Sequence, residues 1–485
     1  MTTTSSEPTS GGTAGDDAAT ASPARLTTRL RLILAVVILA DVLDLMDSTI
    51  TNIAAPTIVR DIGGGESLIK WLGASYALAM GVLLVVGARL GDRYGKRRIF
   101  LIGIAGFTLA SLAAGLSVDP VMLITARLLQ GGFGALLIPQ GIGLLIGAFN
   151  REQMRSAFSV FGPVMGASAI VGPIVAGFII SANLGGLTWR PIFLINIVLG
   201  AAGFAAALRV LPADEERSTV PIDATGAGLL GASMFALIYG LIEGSTDGWT
   251  ALPVGFLAAG VLLLGAFWVR QRKAADPLIL PSLLSNRGFT AGMLLGLAFF
   301  AAVNGLAYVL SLFFQTGLGM TARAASIALS PFMIGIIIAS FVCRPLLGKL
   351  GRTMVLIGLL LTLAGAAGVW ATVLNEGTHV SLWTLAPSIG VLGVGAGACF
   401  TSLFDVAIGD VAPAEAGSAS GSLSAVQQLA SAIGSAVVTT VYFSQRIEHG
   451  AGHAMTVTVA VVAAIAALGL GLVWLMPKAA PAEDH

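Results

Sequence analysis

Charge is what this sequence has least of. Asp, Glu, Lys and Arg make up 11% of its 485 residues, against about 25% in an ordinary soluble domain. The 26 basic and 25 acidic residues nearly cancel to a formal +1, which gives no electrostatic footprint for nucleic acid. Cysteine is scarce too. Cys343 and Cys399 both fall in apolar stretches and read as buried thiols, not as a disulfide framework. The four histidines, His379, His449, His453 and His485, fall in loops or the C-terminal tail. No His-Glu-x-x-His motif or other metal cluster appears. A phosphate-binding loop is missing as well: the nearest stretch, Gly91 to Arg97, has the wrong glycine spacing and no Ser or Thr after its lysine. Metalloprotease, hydrolase and ATP-driven chemistry thus have no residues to run on. The chain is expected to be no enzyme and to need no metal or cofactor.

What the sequence has is apolar length. The apolar fraction is 56% and the mean hydropathy +0.91. A bilayer core of ~30 Å takes ~20 apolar residues per helical span. Spans are expected at about 32–57, 68–88, 99–117, 121–148, 155–180, 190–210, 224–243, 252–270, 288–313, 324–347, 353–374, 381–404, 417–443 and 454–476. This predicts an all-α polytopic membrane protein of about fourteen transmembrane helices. The first residues, rich in Thr, Ser, Gly, Ala and Pro, read as a disordered cytosolic tail over 1–28. With both termini cytosolic, most Lys and Arg fall on the inner side. The outer side holds only Arg60, Lys70, Arg190, Arg323 and Arg446, as the positive-inside rule requires. The expected location is the cell membrane.

A basic loop recurs. Gly87 to Arg98 lies between expected helices 2 and 3, and Arg344 to Arg352 between helices 10 and 11. Aligning Gly95 with Gly351 pairs Arg93 with Lys349 and Lys96 with Arg352, while Asp92 meets Gly348. Helices 9–14 then repeat helices 1–6 and leave helices 7 and 8 as an insertion. The expected divisions are a six-helix half over 29–211, a linker and inserted pair over 212–275, a second six-helix half over 276–477 and a short tail over 478–485. Two such halves form an alternating-access transporter plan with the site between them near the midplane.

Three aspartates break the apolar run of helix 1: Asp41, Asp44 and Asp47. A charge at membrane depth costs ~2.5–3.5 kcal/mol on insertion scales, so these acids need a reason. A spacing of three keeps them on one slowly drifting side of the helix. At ~1.5 Å per residue, Asp41 sits near the midplane and Asp47 at the depth of Arg127 on the oppositely running helix 4. The functional reading is an acid that exchanges its proton for a cationic or polar substrate. Burial disfavours a charged carboxylate and a neighbouring guanidinium favours it, so a change of conformation can load or release a proton. The competing reading is a static Asp47–Arg127 pair that only orients helices. Depth favours Asp41 or Asp44 as cavity-lining. Gln130, one turn beyond Arg127, belongs with this cluster. Asn304 and Gln315 are candidates to line the second half of the cavity, against a plain interhelical hydrogen bond for each.

Several stretches resemble one known family. The 87–98 loop resembles the signature loop of the major facilitator superfamily, and Leu123 to Gly134 its fourth-helix motif. Gly162-Pro163 through Gly172-Pro173 to Gly177 resembles the antiporter motif of its exporters. Asp47 to Pro56 and Trp189 to Asn196 resemble marks of its fourteen-helix drug:proton antiporters. Ser168 stands where the antiporter motif usually begins with Gly, and Pro191 where an aromatic is common.

The resemblance implies proton-coupled efflux of lipophilic or cationic drugs or antibiotics, powered by the proton gradient, with membrane lipids around a monomer. It favours Asp47 as the coupling acid. It also implies a gate in the loop of Gly87, Gly91, Asp92, Arg93, Gly95, Lys96 and Arg97, whose glycines allow close approach and whose Asp92 can cap helix 3 or pair with an arginine. Gly162, Pro163, Gly166, Gly172, Pro173 and Gly177 would form a pliable hinge; ordinary close packing is the alternative. A lipid or metabolite flippase or an uptake symporter would share the fold. A non-transporting sensor or scaffold would gain nothing from the acids of helix 1.

Overall fold

The computed structural model describes residues 26–214, 223–412 and 415–477. The two expected tails lie almost wholly outside the described residues, as do the surroundings of Gly162, Pro163 and Gly166 within their helix. Among the described residues all regular structure is helical. The first group comprises α1 (Thr28–Ile62), α2 (Gly65–Tyr94), α3 (Lys96–Gly115), α4 (Pro120–Ala148), α5 (Arg151–Ala182) and α6 (Pro191–Val210). Two helices follow, α7 (Ala224–Asp247) and α8 (Ala251–Lys273). The second group comprises the short α9 (Pro281–Ser285), α10 (Arg287–Leu312), α11 (Ala322–Ala328), α12 (Ser330–Leu350), α13 (Arg352–Glu376), α14 (Leu382–Ile408) and α15 (Ala416–Val473).

Short polar side chains start these helices. Thr27, Asp119, Asn150, Asp223, Asn286 and Ser381 each accept a hydrogen bond from a backbone N–H of the turn that follows. A helix start leaves such donors without an intrahelical partner, and a capping oxygen supplies one. Asn150 and Gln153 complete a reciprocal capping box.

Breaks occur where the sequence expectation had continuous or separate spans. The span expected at 324–347 is two pieces, α11 and α12, parted at Leu329. The end of α10 widens into a π turn, Phe313–Gly317. The spans expected at 417–443 and 454–476 run on as α15, interrupted only at Gly450, whose φ of 83° is readily available to glycine. Eleven helices among the described residues are long and apolar enough to cross a membrane, with Gly417–Val473 counted once. The aspartate-bearing α1 is not one of them.

Within the first group α1 packs on α4, α5 and α6, α2 on α4, and α3 on α4 and α6. In the second, α10 packs on α15 and α14, α13 on α14 and α15, and α12 on α14. The groups meet where α2 crosses α15 and where α5 meets α11. α10 also bonds to the first group: Tyr308 donates to the Ile69 carbonyl of α2 at 2.6 Å and Ser311 to the Asn52 carbonyl of α1 at 3.1 Å. A large apolar cluster joins the groups through Ile53, Leu72, Phe193, Phe299 and Phe313. A second cluster, around Phe100, Phe107 and Leu137, lies mainly within the first group. The α7–α8 pair packs on itself, and α7 also touches α2 and α15.

Candidate functional site

The acids of α1 face α4 and α2, and glycine makes the approach possible. A methyl group at Gly131 would run into the Tyr76 carbonyl, and one at Gly134 into the Asp44 carboxylate and the Tyr76 hydroxyl. Three helices therefore bring polar side chains together in the middle of an apolar bundle.

Asp47 is fully buried and Arg127 is 1% exposed. Arg127 Nη1 pairs with Asp47 Oδ2 and donates to Gln130 Oε1 at 3.0 Å. The other carboxylate oxygen, Oδ1, accepts from Asn196 Nδ2 at 2.8 Å and Gln130 Nε2 at 3.2 Å. Gln130 Nε2 also donates to Ser111 Oγ at 2.8 Å. The guanidinium lies over the Tyr76 ring, 4.5 Å from its centroid, with Phe193 at 5.8 Å, in reach of a cation–π interaction. Arg127 Nε has no hydrogen-bond partner.

One turn away the Tyr76 hydroxyl donates to Asp44 Oδ1. Asp41, another turn along, is 6% exposed and its Oδ1 has no hydrogen-bond partner. Three buried carboxylates thus share one guanidinium, paired to Asp47. Depth matching placed Asp47 opposite Arg127, and the two side chains touch. Sequence reasoning missed Tyr76 and Ser111, which carry no charge and sit in unremarkable apolar runs. Asn196 was visible only as the last residue of the Trp189–Asn196 run.

The same run has a second anchor. Trp189 Nε1 and Arg190 Nη1 both donate to Asp61 Oδ2, at 2.9 and 2.5 Å, at the far end of α1. The Arg190 guanidinium holds the Asp61 carboxyl below the usual carboxylate range. The clamp fixes the start of α6, from which Asn196 projects.

The basic loop is built differently from the expectation that Asp92 caps α3. Asp92 and Arg93 are exposed. The cap comes from Asp214, after α6, which accepts from the N–H groups of Arg97 at 2.7 Å and Arg98 at 3.1 Å. Gly95 between the helices has φ 101°, and the side chain of Asp214 fills the space beside it. Arg97 donates to the Leu208 carbonyl at the end of α6, at 2.9 Å. Gln140 of α4 donates to the Gly87 carbonyl at 2.8 Å and fills the space beside Gly91. Lys96 passes close to Gly143 of α4.

Of the helix-5 residues, Gly172 lies against Thr49 and Met46 of α1, and Gly177 against α11 near Ser326. Pro173 is buried. Asn304 donates to Ser431 Oγ at 2.6 Å and Gln315 to the Ile53 carbonyl at 3.1 Å. Both tie helices together and neither joins the aspartate cluster. Among the described residues, no group of three or more His, Cys, Asp or Glu side chains is placed to hold a metal ion.

Comparison with known proteins adds ancestry to this geometry. A probable actinorhodin transporter of Streptomyces coelicolor is 38% identical over 87% of this chain and 75% of its own. A tetracenomycin C resistance and export protein of Streptomyces glaucescens is 34% identical, over 81% of this chain and 72% of its own. Among solved structures, a bacterial homologue of the human lysosomal transporter Spinster, inward-facing and unoccupied, superimposes with a TM-score of 0.64. It is 14% identical and the match covers 93% of this chain and 98% of its own. A POT family transporter in complex with 5-aminolevulinic acid gives 0.65 at 15% identity, over 90% and 95%. The profile of the Major Facilitator Superfamily matches residues 37–435. This chain is a multi-pass membrane transporter belonging to the Major Facilitator Superfamily.

Proposed function

We propose that the protein exports lipophilic or cationic small molecules, of the antibiotic or drug type, in exchange for protons. The observation that carries this reading is the charge balance on α1: three buried acids against a single arginine. A site that must approach neutrality at membrane depth has room for protons or for a cationic substrate, and competition between the two is antiport. The names of the Streptomyces relatives, an export protein among them, support the direction.

Asp47 is the coupling acid in this reading. Protonation neutralises Asp47 and frees Arg127 to turn to another acceptor, and Asn196, Gln130 and Ser111 hold the carboxylate ready for the return. Asp44 and Asp41 extend the acidic face and complete the proton-coupling group with Arg127. The loop from Gly87 through Gly91, Asp92, Arg93, Gly95, Lys96 and Arg97 gates one side, and helix 5, from Gly162 to Gly177, bends as the halves rock. Gln130, Asn304 and Gln315 border the substrate path.

The membrane arrangement belongs to the same proposal: fourteen spans, six over 29–211, two inserted within 212–275 and six over 276–477, with both termini cytosolic and the chain monomeric. Several features support it. α1 and α5 have 35 and 32 residues, and Gly450 divides α15 in two. Arg97 donates to the Leu208 carbonyl near the end of α6, and Arg352 donates to the Trp474 carbonyl just past the end of α15 at 3.1 Å. The two basic loops thus grip corresponding helix ends.

The test is efflux of a cationic dye from proteoliposomes under an imposed pH gradient. The gradient should accelerate export; equal rates with and without it would remove antiport from the reading.

A further inference from the structure

Beside the inserted pair, α2, α4 and α7 enclose an open groove of about 430 Å³, a volume in the ~300–1,000 Å³ range of ligand sites. Every residue lining it is apolar or glycine. On α7 the lining runs from Ala224 to Phe235, which is about 16 Å at ~1.5 Å per residue. That is about half of a ~30 Å hydrocarbon core, the depth of one leaflet. The groove is open and small residues of α7 line it: a side chain added at Gly228 would meet nothing within 4 Å.

The deep end is hydrocarbon and the mouth is charged. Ala224 is the first residue of α7, and its cap Asp223 pairs with Arg270 at 3.0 Å. Arg270, Arg272 and Lys273 form the last turn of α8. Arg272 and Lys273 are exposed. Arg89 of α2 donates to the Asp276 and Pro277 carbonyls beside them. Among the described residues at this end, Arg272 and Lys273 are exposed cations beyond the Asp223–Arg270 pair.

We propose that the groove holds one acyl chain of an anionic phospholipid, whose headgroup is bound by the last turn of α8. The lipid completes the packing between the inserted pair and the first six helices. The inserted pair thereby acquires a role, because α7 forms one wall and α8 supplies the headgroup contacts. The inference rests on the multi-pass membrane fold and not on proton exchange.

Native mass spectrometry of the full-length protein, purified from membranes containing phosphatidylglycerol, provides the test. Wild type should retain one phosphatidylglycerol per chain. Gly228→Leu fills the groove and should reduce that occupancy at least tenfold with the melting temperature unchanged. Gly255→Leu, at an α8 position that likewise meets nothing within 4 Å, should leave it intact. Arg272→Gln with Lys273→Gln should erase the preference for phosphatidylglycerol over phosphatidylcholine and still bind a chain. Unchanged occupancy in Gly228→Leu, or no headgroup preference in wild type, would overturn the proposal. Displacement of the retained lipid by a lipophilic dye at transport concentrations would overturn it in favour of a substrate site. None of these readouts requires transport, so a failed efflux assay leaves them standing.

Discussion

Replacing Asp47 with asparagine removes one negative charge and little volume, and the geometry says what the rest of the cluster must then do. Asp47 has two acceptor oxygens, and both are used. Oδ2 meets Arg127, and Oδ1 meets the amides of Asn196 and Gln130. Asparagine offers one acceptor and one amide. Turned toward Arg127, its oxygen leaves two buried amide donors facing another donor. Turned toward the amides, it sets its own amide donor against the guanidinium, and in either orientation the neutral side chain leaves Arg127 without a counter-charge. An unsatisfied buried donor costs about 1–3 kcal/mol, and breaking a buried ion pair about 3–5 kcal/mol. The first arrangement should win. Asp47→Asn is then expected to lose about 3–5 kcal/mol, and adding Arg127→Gln should recover at least about 2 kcal/mol through coupling of the two sites.

Denaturant titration followed by tryptophan fluorescence gives the stabilities, and dye efflux from proteoliposomes under a pH gradient gives the coupling. The two roles of the pair separate in the double variant. A purely structural pair predicts that Asp47→Asn with Arg127→Gln regains both stability and gradient-driven efflux. A coupling acid predicts recovered stability, dye exchange without a gradient and no acceleration by the gradient. Gradient-driven efflux at wild-type rate in the double variant would refute the coupling role of Asp47 and move it to Asp44 or Asp41. A single variant as stable as wild type would refute the acceptor-counting argument itself.

Gly134→Ala should displace Asp44 from the Tyr76 hydroxyl at an overpacking cost of about 1–3 kcal/mol; efflux should fall while purified yield stays near wild type. Gly131→Ala meets a backbone carbonyl instead of a side-chain end, so its yield of folded protein should fall well below that of Gly134→Ala. Asp214→Ala removes the cap of α3, typically worth ~1 kcal/mol, and should raise amide exchange at Arg97 and Arg98 about fivefold. Asp61 has its carboxyl held below the ordinary value of 3.8 by Arg190. Its stabilising contribution is therefore present above that value and lost as pH falls through the lower folded-state value. The melting difference between wild type and Asp61→Asn should be constant from neutral pH down to about 4 and shrink below it.

Membrane physics made the Asp47–Arg127 pair legible in the sequence. Charges in hydrocarbon are expensive, so each one announces itself, and counting residues along two antiparallel helices is enough to compare their depths. The caps Asp119, Asn150 and Asn286, short polar residues at the borders of apolar runs, were not singled out from the sequence. Neutral partners have no such signature. Tyr76 and Ser111 cost little in an apolar helix and look like packing until α4 brings them to Asp44 and Gln130. The cap of α3 was out of reach because Asp214 is more than a hundred residues from the loop it serves, whereas Asp92 stood nearby in sequence.

Lys70 shows the limit most clearly. Placement alone makes it a topology charge at a helix end. In the structure it is fully buried, and its ammonium donates to Ser245 and Thr246 of α7 at 2.8 Å each. Ser245 in turn lies 3.1 Å from the Thr440 hydroxyl of α15. The helix alternation that counts Lys70 as one positive charge cannot tell which neighbour receives it, because that depends on how the inserted pair docks. Docking packs Trp71 and Leu78 of α2 against Met234, Ile238 and Ile242 of α7, and in the sequence these look like every other apolar residue. The packing of α1 on α4 advertises itself through charges that must be neutralised. The contacts of α7 with α2, through Lys70 on Ser245 and Thr246, Glu243 on Ser67 and Trp71 beside Phe235 and Tyr239, emerge only from the assembled fold.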